Sequence, residues 1–552
     1  MRNLQFRALY RVFLLRIVDL ELMSTDADPS KLIGQFATIF ITISVILAFP
    51  VLLLAGHRMP LTSAWTAEHF FIETTMTVVG LITILNWDAA FPDRRDVLVL
   101  APLPVRTSTL FVAKISALFA APCLAMIAFN LFVGVAWPLL FISDSGGFLG
   151  ALRSWPAYWI TIFLSSAFVV FVVLAVQGLA ANLLPRQIFL RLSAFLQAGA
   201  LCLLLIVYFL EPSLESPTAL TAPENQRLLA WLPSYWFLGF FQQLNGSVHP
   251  ALAPLARRAW IGLAVSILGA VAALLLSYFR MLPKIVEQPD IRPLMRKIAW
   301  SLRFGNSLQT AITLFSLRTL LRSRQHRMIL SFYLGIGLTI VVAYLNTPPS
   351  GLVPQTSEIN AAILLTSTLM MILAILAIRV VASFPISLSA NWIIRITQLR
   401  PAHDYQKAVR FAWLVLGVIP IWIIVAVSFL TLYPWQPVLG HLFTMLLLGI
   451  LLVEICLYTF PKIPFTCSYL PGKANIHFVF WACILVAIQL LYEAAKFECR
   501  SLHHLFSCVL MLLIVAIVAA VMRWLTELRT NTADELLFEE EYPAEIVSLK
   551  LN

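Results

Sequence analysis

Charged residues are scarce in this chain, and no long stretch of it is polar. Only 12% of its 552 residues are Asp, Glu, Lys or Arg, whereas 60% are hydrophobic. An average soluble domain carries about 25% charged residues, so this composition argues against a soluble enzyme or binding module. The net charge of +11 indicates contact with membrane lipid and no nucleic acid, because membrane proteins concentrate Lys and Arg in cytoplasmic loops.

Motifs for metal binding, nucleotide binding and covalent catalysis are also missing. The seven cysteines form no CxxC pair, so we expect neither a disulfide framework nor a metal site built on them. No GxxxxGK[ST], HExxH or GxSxG occurs, and these are signatures of P-loop ATPases, zinc proteases and serine hydrolases. We predict no catalytic residue, no cofactor and no metal. Residues 1–34 lack an uninterrupted apolar core, so we also expect no cleavable signal peptide.

What the sequence does contain is a series of apolar segments of about 20 residues, the length that crosses a bilayer. They fall into two groups of six, separated by a polar stretch near 283–305. The predicted spans lie near 35–55, 69–87, 113–142, 157–181, 188–210, 259–279, 328–346, 359–381, 409–432, 438–460, 475–492 and 504–525. The sequence therefore predicts an all-α, polytopic membrane protein with about twelve transmembrane helices.

Basic residues are distributed unevenly between alternate connectors. With the N terminus in the cytoplasm, 31 of the 38 Lys and Arg residues fall on the cytoplasmic side. This asymmetry follows the positive-inside rule. It predicts a multi-pass protein with both termini in the cytoplasm.

Three short matches in the same order suggest that the two groups of spans are copies of one unit. The matching pairs are Arg7–Arg11 with Arg318–Arg322, Phe91-Pro92 with Phe384-Pro385, and Leu184–Arg186 with Phe460–Lys462. Lys114 and Lys407 also follow their Phe-Pro pairs at the same distance. Because six is an even number, the copies would be parallel repeats. We expect one six-helix unit at 1–285 and a second at 286–552, which ends in an acidic tail.

Two kinds of cytoplasmic segment are candidates for contact with a partner. The N-terminal segment is predicted to form an amphipathic interfacial helix, with Leu4, Ala8, Val12 and Leu15 on one face. The connectors after the second and eighth spans combine charges with Leu-Pro or Phe-Pro breaks. Their candidate contact residues are Asp93, Arg94, Arg95, Asp96, Arg395, His403 and Asp404. The alternative is that these connectors are solvated and only set the topology.

The first connector resembles the corresponding loop of ABC-type-2 exporter permeases, through Asp93–Asp96, Leu103-Pro104-Val105 and Lys114. Permeases of that family have six spans per unit, an amphipathic N-terminal helix and a coupling helix between spans two and three. They also have short re-entrant helices between spans five and six, and residues 211–258 are similar to that feature. In the second unit only residues 493–503 lie between the fifth and sixth spans, and this segment is too short for the same hairpin.

The resemblance implies the membrane subunit of an ATP-driven exporter of unknown substrate in a bacterial inner membrane. A separate cytoplasmic ABC ATPase would dock on the two connectors. One alternative is a secondary transporter, since two parallel six-span repeats also describe that class. Another is a membrane enzyme that acts on lipid-linked substrates, which would need clustered catalytic groups at one membrane face.

Four polar residues fall inside predicted spans: Glu73, Asn130, Gln177 and Glu454. A charge at the bilayer centre costs at least about 2.5–3.5 kcal/mol, so such a side chain usually faces a partner or a cavity. The four residues either hydrogen-bond between helices or line a substrate path, and the sequence leaves both interpretations open.

Overall fold

A computed structural model shows helices joined by turns in the part of the chain that it describes. The described residues are 2–18, 29–54, 61–87, 106–141, 147–211, 216–246, 249–287, 303, 305–346, 361–385, 401–458, 460, 462–466, 490–502 and 504–532. Within these ranges there is no β-strand, and the prediction of an all-α protein is confirmed for them.

The chain divides into two compact units, Met1–Lys297 and Ile298–Asn552. The division predicted after residue 285 falls in the last turn of the helix that ends at Glu287. The helices of unit 1 are α1 (Arg2–Val18), α2 (Pro29–Leu54), α3 (Leu61–Leu85), α4 (Thr107–Asn130), α5 (Val133–Ala136), α6 (Gly147–Leu183), α7 (Arg186–Leu210), α8 (Pro217–Thr221), α9 (Gln226–Leu229), α10 (Pro233–Asn245) and α11 (Ala253–Glu287).

Unit 2 is also helical in its described part. Its helices are α12 (Ser307–Arg322), α13 (Arg324–Asn346), α14 (Ala361–Val381), α15 (Ala402–Trp413), α16 (Ile419–Leu432), α17 (Trp435–Tyr458) and α18 (Leu505–Thr532). Residues 490–502 are also helical. A π-helical turn, Leu414–Val418, joins α15 to α16, and Pro420 follows it, where the missing N–H interrupts regular α-helical bonding.

Nine helices in the described part of the chain are long and apolar enough to cross a membrane, and each overlaps one predicted span. Two further spans, 35–55 and 188–210, overlap shorter apolar helices, Ala37–Leu53 and Phe195–Leu210. The span near 475–492 lies almost entirely outside the described residues. The chain is therefore a multi-pass membrane protein, and the count of twelve spans stays a prediction.

The span predicted near 113–142 is not one continuous helix. α4 ends at Asn130, and the short α5 and a 3-10 turn follow it. The Ser44 hydroxyl of α2 accepts hydrogen bonds from the backbone N–H groups of Phe132 (3.0 Å) and Val133 (3.4 Å) at the break. A broken helix is tolerated at membrane depth only where other protein groups satisfy its backbone, and Ser44 does so here.

Helix α1 contacts the bundle through a different face from the apolar one predicted to lie in the membrane interface. Ala8 and Val12 are exposed, whereas Phe13 is buried and its ring lies 5.7 Å from the Nζ atom of Lys114 in α4. The face that packs against the bundle consists of Phe6, Leu9, Tyr10 and Phe13. Helix α1 thus lies along α4, and the cation–π contact joins them.

The two units have similar packing partners but differ in detail. In unit 1, α1 packs on α4 and α6 packs on α11, while in unit 2 α12 packs on α15 and α17 packs on α18. Lys114 is buried, whereas Lys407, its proposed equivalent, is exposed, and the buried cation of α15 is Arg410. Lys114 and Lys407 therefore differ in environment, and the internal repeat stays a prediction.

Small residues bring α6 and α11 into close contact. A Cβ atom added at Gly178 would overlap Ala273, and one added at Gly269 would lie 3.3 Å from a Cβ atom of α6. One turn beyond Gly178, the side-chain amide of Asn182 donates to the Ser277 hydroxyl (3.0 Å). Small residues with an interhelical hydrogen bond are a common way to join membrane helices.

We predict that Gly178→Val destabilises unit 1 by about 1–3 kcal/mol, since overpacking forces neighbouring groups to move. The matched control is Gly199→Val, because no atom lies within 4 Å of a Cβ added there. Thermal unfolding of the purified chain in detergent measures both. Equal melting temperatures for the two variants would contradict the close approach of α6 and α11.

Candidate functional site

The predicted contact residues of the cytoplasmic connectors lie mostly outside the described part of the chain. Asp93, Arg94, Arg95, Asp96 and Arg395 belong to this group. His403 and Asp404 lie in the first turn of α15, with side chains 41% and 37% exposed and 3.2 Å between His403 Nε2 and an Asp404 carboxylate oxygen. Exposed groups at this place can contact a partner protein.

Asn130 forms hydrogen bonds between helices. Its Oδ1 atom accepts a bond from the Tyr158 hydroxyl of α6 (2.7 Å), and its Nδ2 atom donates to Thr75 of α3 (3.1 Å) and to the Met126 carbonyl (2.9 Å). Asn130 itself is fully buried. These bonds join α3, α4 and α6, as expected from the first of the two interpretations of such residues.

Gln177 is also buried in α6, but the described residues offer no donor or acceptor to its Oε1 atom. An unsatisfied buried polar atom costs about 1–3 kcal/mol. Gln177 and Glu454, which the sequence places at similar positions in their units, therefore differ in environment.

Glu454 forms a buried ion pair with Arg410. Two of its oxygens contact the guanidinium group, at 2.6 Å from Nε and 3.1 Å from Nη2. Glu527 of α18 lies 3.5 Å from Nη1 of the same arginine, and Arg523 lies 3.1 Å from Glu527. The two-point contact fixes α15 against α17 and neutralises Glu454.

Glu73 belongs to a buried cluster that also contains two groups the sequence analysis did not single out. His69 precedes Glu73 by one turn of α3, so the two share a face, and 3.7 Å separate His69 Nδ1 from a Glu73 oxygen. Glu211, at the C-terminal end of α7, lies 3.1 Å from His69 Nε2. All three side chains are at most 5% exposed. We call His69, Glu73 and Glu211 the His/Glu cluster.

The short helix α10 supports this cluster. The Ser234 hydroxyl donates to Glu211 Oε2, and the Tyr235 hydroxyl donates to the Glu211 carbonyl (3.0 Å). The Tyr235 ring stacks on the His69 ring with centroids 3.9 Å apart. These contacts fix the orientation of both His69 and Glu211.

Helix α10 is held in place at both of its ends. It has 13 residues, about 20 Å of helix, which is too short to cross a bilayer. Pro233 occupies its first turn, and Gly246 ends it in the left-handed conformation with φ of 79°. Arg153 Nε donates to the Leu244 carbonyl (2.8 Å), and a cation at this end also complements the helix dipole.

A further carboxylate, Glu68, lies one residue before His69. Its Oε2 atom accepts a hydrogen bond from the Gln242 amide of α10. Its Oε1 atom is buried, and no donor among the described residues reaches it. Unit 1 thus buries Glu68 in addition to the His/Glu cluster.

Unit 2 contains a different buried histidine. His441 of α17 lies 2.8 Å from a Glu498 oxygen through Nδ1 and 2.7 Å from the Ser367 hydroxyl through Nε2. Phe429 stacks on its ring. Both ring nitrogens thus have protein partners, and the surroundings contain one carboxylate.

The sequence contained one signal for the His/Glu cluster, namely His69 and Glu73 one turn apart within a span. Glu211 could not have been paired with them, because it is far away in sequence and no spacing rule connects the ends of different helices. An i, i+4 His–Glu pair inside an apolar span is a reason to search for a third group.

No family model matches the chain, and no curated protein or solved structure is significantly similar to it. The function of the chain is therefore inferred from its own sequence and geometry. Chemically, the His/Glu cluster can exchange protons or bind a cation, while the Arg410–Glu454 pair is already neutralised.

We predict that Arg410→Met destabilises the protein by about 3–5 kcal/mol, because it leaves Glu454 buried without a cation. The double variant Arg410→Met/Glu454→Leu should recover most of this loss. Arg523→Met is the matched control, since that side chain is 58% exposed and its pair contributes at most about 1 kcal/mol. Denaturant unfolding in detergent measures all three. A loss for Arg410→Met no larger than for the control would contradict the structural role of the pair.

Proposed function

We propose that the chain is the membrane-spanning permease subunit of an ABC-type exporter in a bacterial inner membrane. A separate cytoplasmic ABC ATPase would bind its cytoplasmic connectors. The observation that carries this proposal is the layout of unit 1, in which a helix packs along the start of the third span and a short helix is buried before the last span. Both features belong to the permeases that the sequence resembles.

The N-terminal helices support a coupling role. Helix α1 lies along α4 and contacts it through Phe13 and Lys114, and α12 packs on α15 in unit 2. The charge distribution places the starts of α4 and α15 on the cytoplasmic side. A push on the connectors before these helices would therefore move each helix together with its N-terminal partner.

The short helix α10, on the side of the membrane predicted to be outside, supports the same assignment. It is buried against α3, α6 and α11, and the charge distribution places residues 211–258 outside. A buried helix that does not cross the membrane corresponds to the re-entrant helices of the exporter permeases. In this arrangement α10 closes the outer end of unit 1, and ATPase-driven movement of α4 would open it.

We predict that reversing the charges of Asp93, Arg94, Arg95 and Asp96 together lowers recovery of the ATPase with the tagged chain by about tenfold or more. Tenfold corresponds to about 1.4 kcal/mol of binding free energy, which a few interfacial charges supply. The ATPase is tested as a co-expressed protein with a GxxxxGK[ST] motif from the adjacent reading frame. Quantitative co-purification from detergent extracts provides the measurement.

The control for this experiment is Arg257→Glu, at an exposed position on the side predicted to be outside. It should leave recovery of the ATPase unchanged. If the fourfold reversal and the control gave equal recovery, the docking role of the connector would be wrong.

A secondary transporter is the second candidate, and the His/Glu cluster favours it. Histidine and carboxylates buried together in a membrane bundle are the usual groups of a proton relay. The structure brings three such groups, His69, Glu73 and Glu211, together.

Transport by everted membrane vesicles separates the two candidates. An exporter of the ABC type should work with ATP in the presence of a protonophore and should stop with vanadate. Transport by a proton-coupled transporter should stop with the protonophore and should continue with vanadate. We expect the first result, and abolition by the protonophore with ATP still present would reject the permease proposal.

A further inference from the structure

We propose that the His/Glu cluster is a binding site for one divalent transition-metal ion, and that Zn²⁺ is the ion its ligands favour. His69 would contribute one ring nitrogen, and Glu73 and Glu211 would contribute one carboxylate oxygen each. This inference goes beyond the proposed permease function and does not depend on it.

The geometry is close to that of a three-ligand site. One potential ligand atom from each of the three side chains lies within 4.8 Å of the other two. Ligands bound to tetrahedral zinc at about 2.0–2.2 Å lie roughly 3.3–3.5 Å apart. His69 Nε2 and the Glu211 oxygen, 3.1 Å apart, are already near that separation. A Glu73 oxygen lies 3.7 Å from the other ring nitrogen, Nδ1, so the Glu73 carboxylate would have to turn toward Nε2 to become the third ligand.

Charge gives a second reason. Glu211 is 1% exposed, and its carboxylate contacts are the neutral hydroxyl of Ser234 and the imidazole of His69. No Lys or Arg of the described residues lies at ion-pair distance from Glu211. Because buried carboxylates are costly unless they are neutralised or coordinate a metal, a divalent cation bound at the cluster would compensate the charge of Glu211.

The groups around the ligands are those that metal sites require. Outer hydrogen bonds that orient ligands are usually needed for tight binding. Ser234 and Tyr235 orient Glu211, and the Tyr235 ring holds the plane of His69. One imidazole with two carboxylates, and no sulfur, suits Zn²⁺ better than Cu⁺, and the nitrogen ligand disfavours Mg²⁺ or Ca²⁺.

The ligands come from two helices, and a third helix supports them. Glu73 and His69 lie on α3, Glu211 ends α7, and α10 supplies the outer contacts. A bound ion would therefore fix α7 to α3 and stabilise the contacts that α10 makes with Glu211 and His69. Three protein ligands leave the fourth position of a tetrahedral ion open, as in sites that exchange a ligand.

The test is metal binding by the purified full-length chain in detergent. The chain is stripped with chelator, equilibrated with ZnCl₂, desalted and assayed by elemental mass spectrometry. We expect one Zn²⁺ per chain for the wild type and loss of that zinc in His69→Gln and in Glu211→Gln. The matched control is His441→Gln, which removes the buried histidine of unit 2 and should retain the zinc.

A variant that exchanges one metal ligand for another keeps the proposal testable if the first two variants fold poorly. Glu73→His replaces an oxygen ligand by an imidazole and should retain one Zn²⁺ per chain. Co²⁺ substituted into the wild type should show visible absorption bands of a nitrogen- and oxygen-ligated ion, and these bands should shift in Glu73→His, where an imidazole replaces an oxygen ligand.

Three results would overturn the inference. The first is a wild type that binds no zinc at micromolar concentrations. The second is equal zinc content in the wild type and His69→Gln, which would place the ion elsewhere. The third is stronger retention of Mn²⁺ or Mg²⁺ than of Zn²⁺, which would reject the zinc assignment.

Discussion

The requirement that buried polar groups find partners inside the protein governs this structure. Among apolar helices no water replaces a lost hydrogen bond, so a polar side chain in a span is costly to bury unless another protein group pairs with it. Ser44 satisfies the broken end of α4, Asn130 holds three helices together, and Arg410 neutralises Glu454. These few polar contacts thus help to fix the positions of helices whose packing surfaces are otherwise apolar.

The same requirement concentrates chemistry at one place in unit 1. Helix α10 is too short to cross a membrane, and it packs inside unit 1 instead. Its polar side chains are therefore buried together with those of the neighbouring helices. Ser234 and Gln242 of α10 contact Glu211 and Glu68. The short helix and the buried acids therefore depend on each other, since α10 supplies the donors without which the carboxylates would be more costly to bury.

The sequence predicted most span positions because apolar length alone sets them, and it predicted Glu73, Asn130 and Glu454 as noteworthy because polar residues in spans are rare. It could not predict their partners, since Tyr158 and Arg410 reach Asn130 and Glu454 through tertiary packing. The contact of α1 with the bundle depends on tertiary packing in the same way. That helix has apolar residues on two faces. Phe13 packs against α4, whereas Val12 stays exposed, where membrane lipid can contact it.

Buried histidines have different surroundings in the two units. His69 lies on α3 of unit 1, whereas His441 lies on α17 of unit 2. Unit 2 surrounds His441 with one carboxylate and a hydroxyl, which satisfy the ring completely. Unit 1 instead places two carboxylates around His69, and this excess of negative groups makes it the unit where an ion or a proton has a reason to bind.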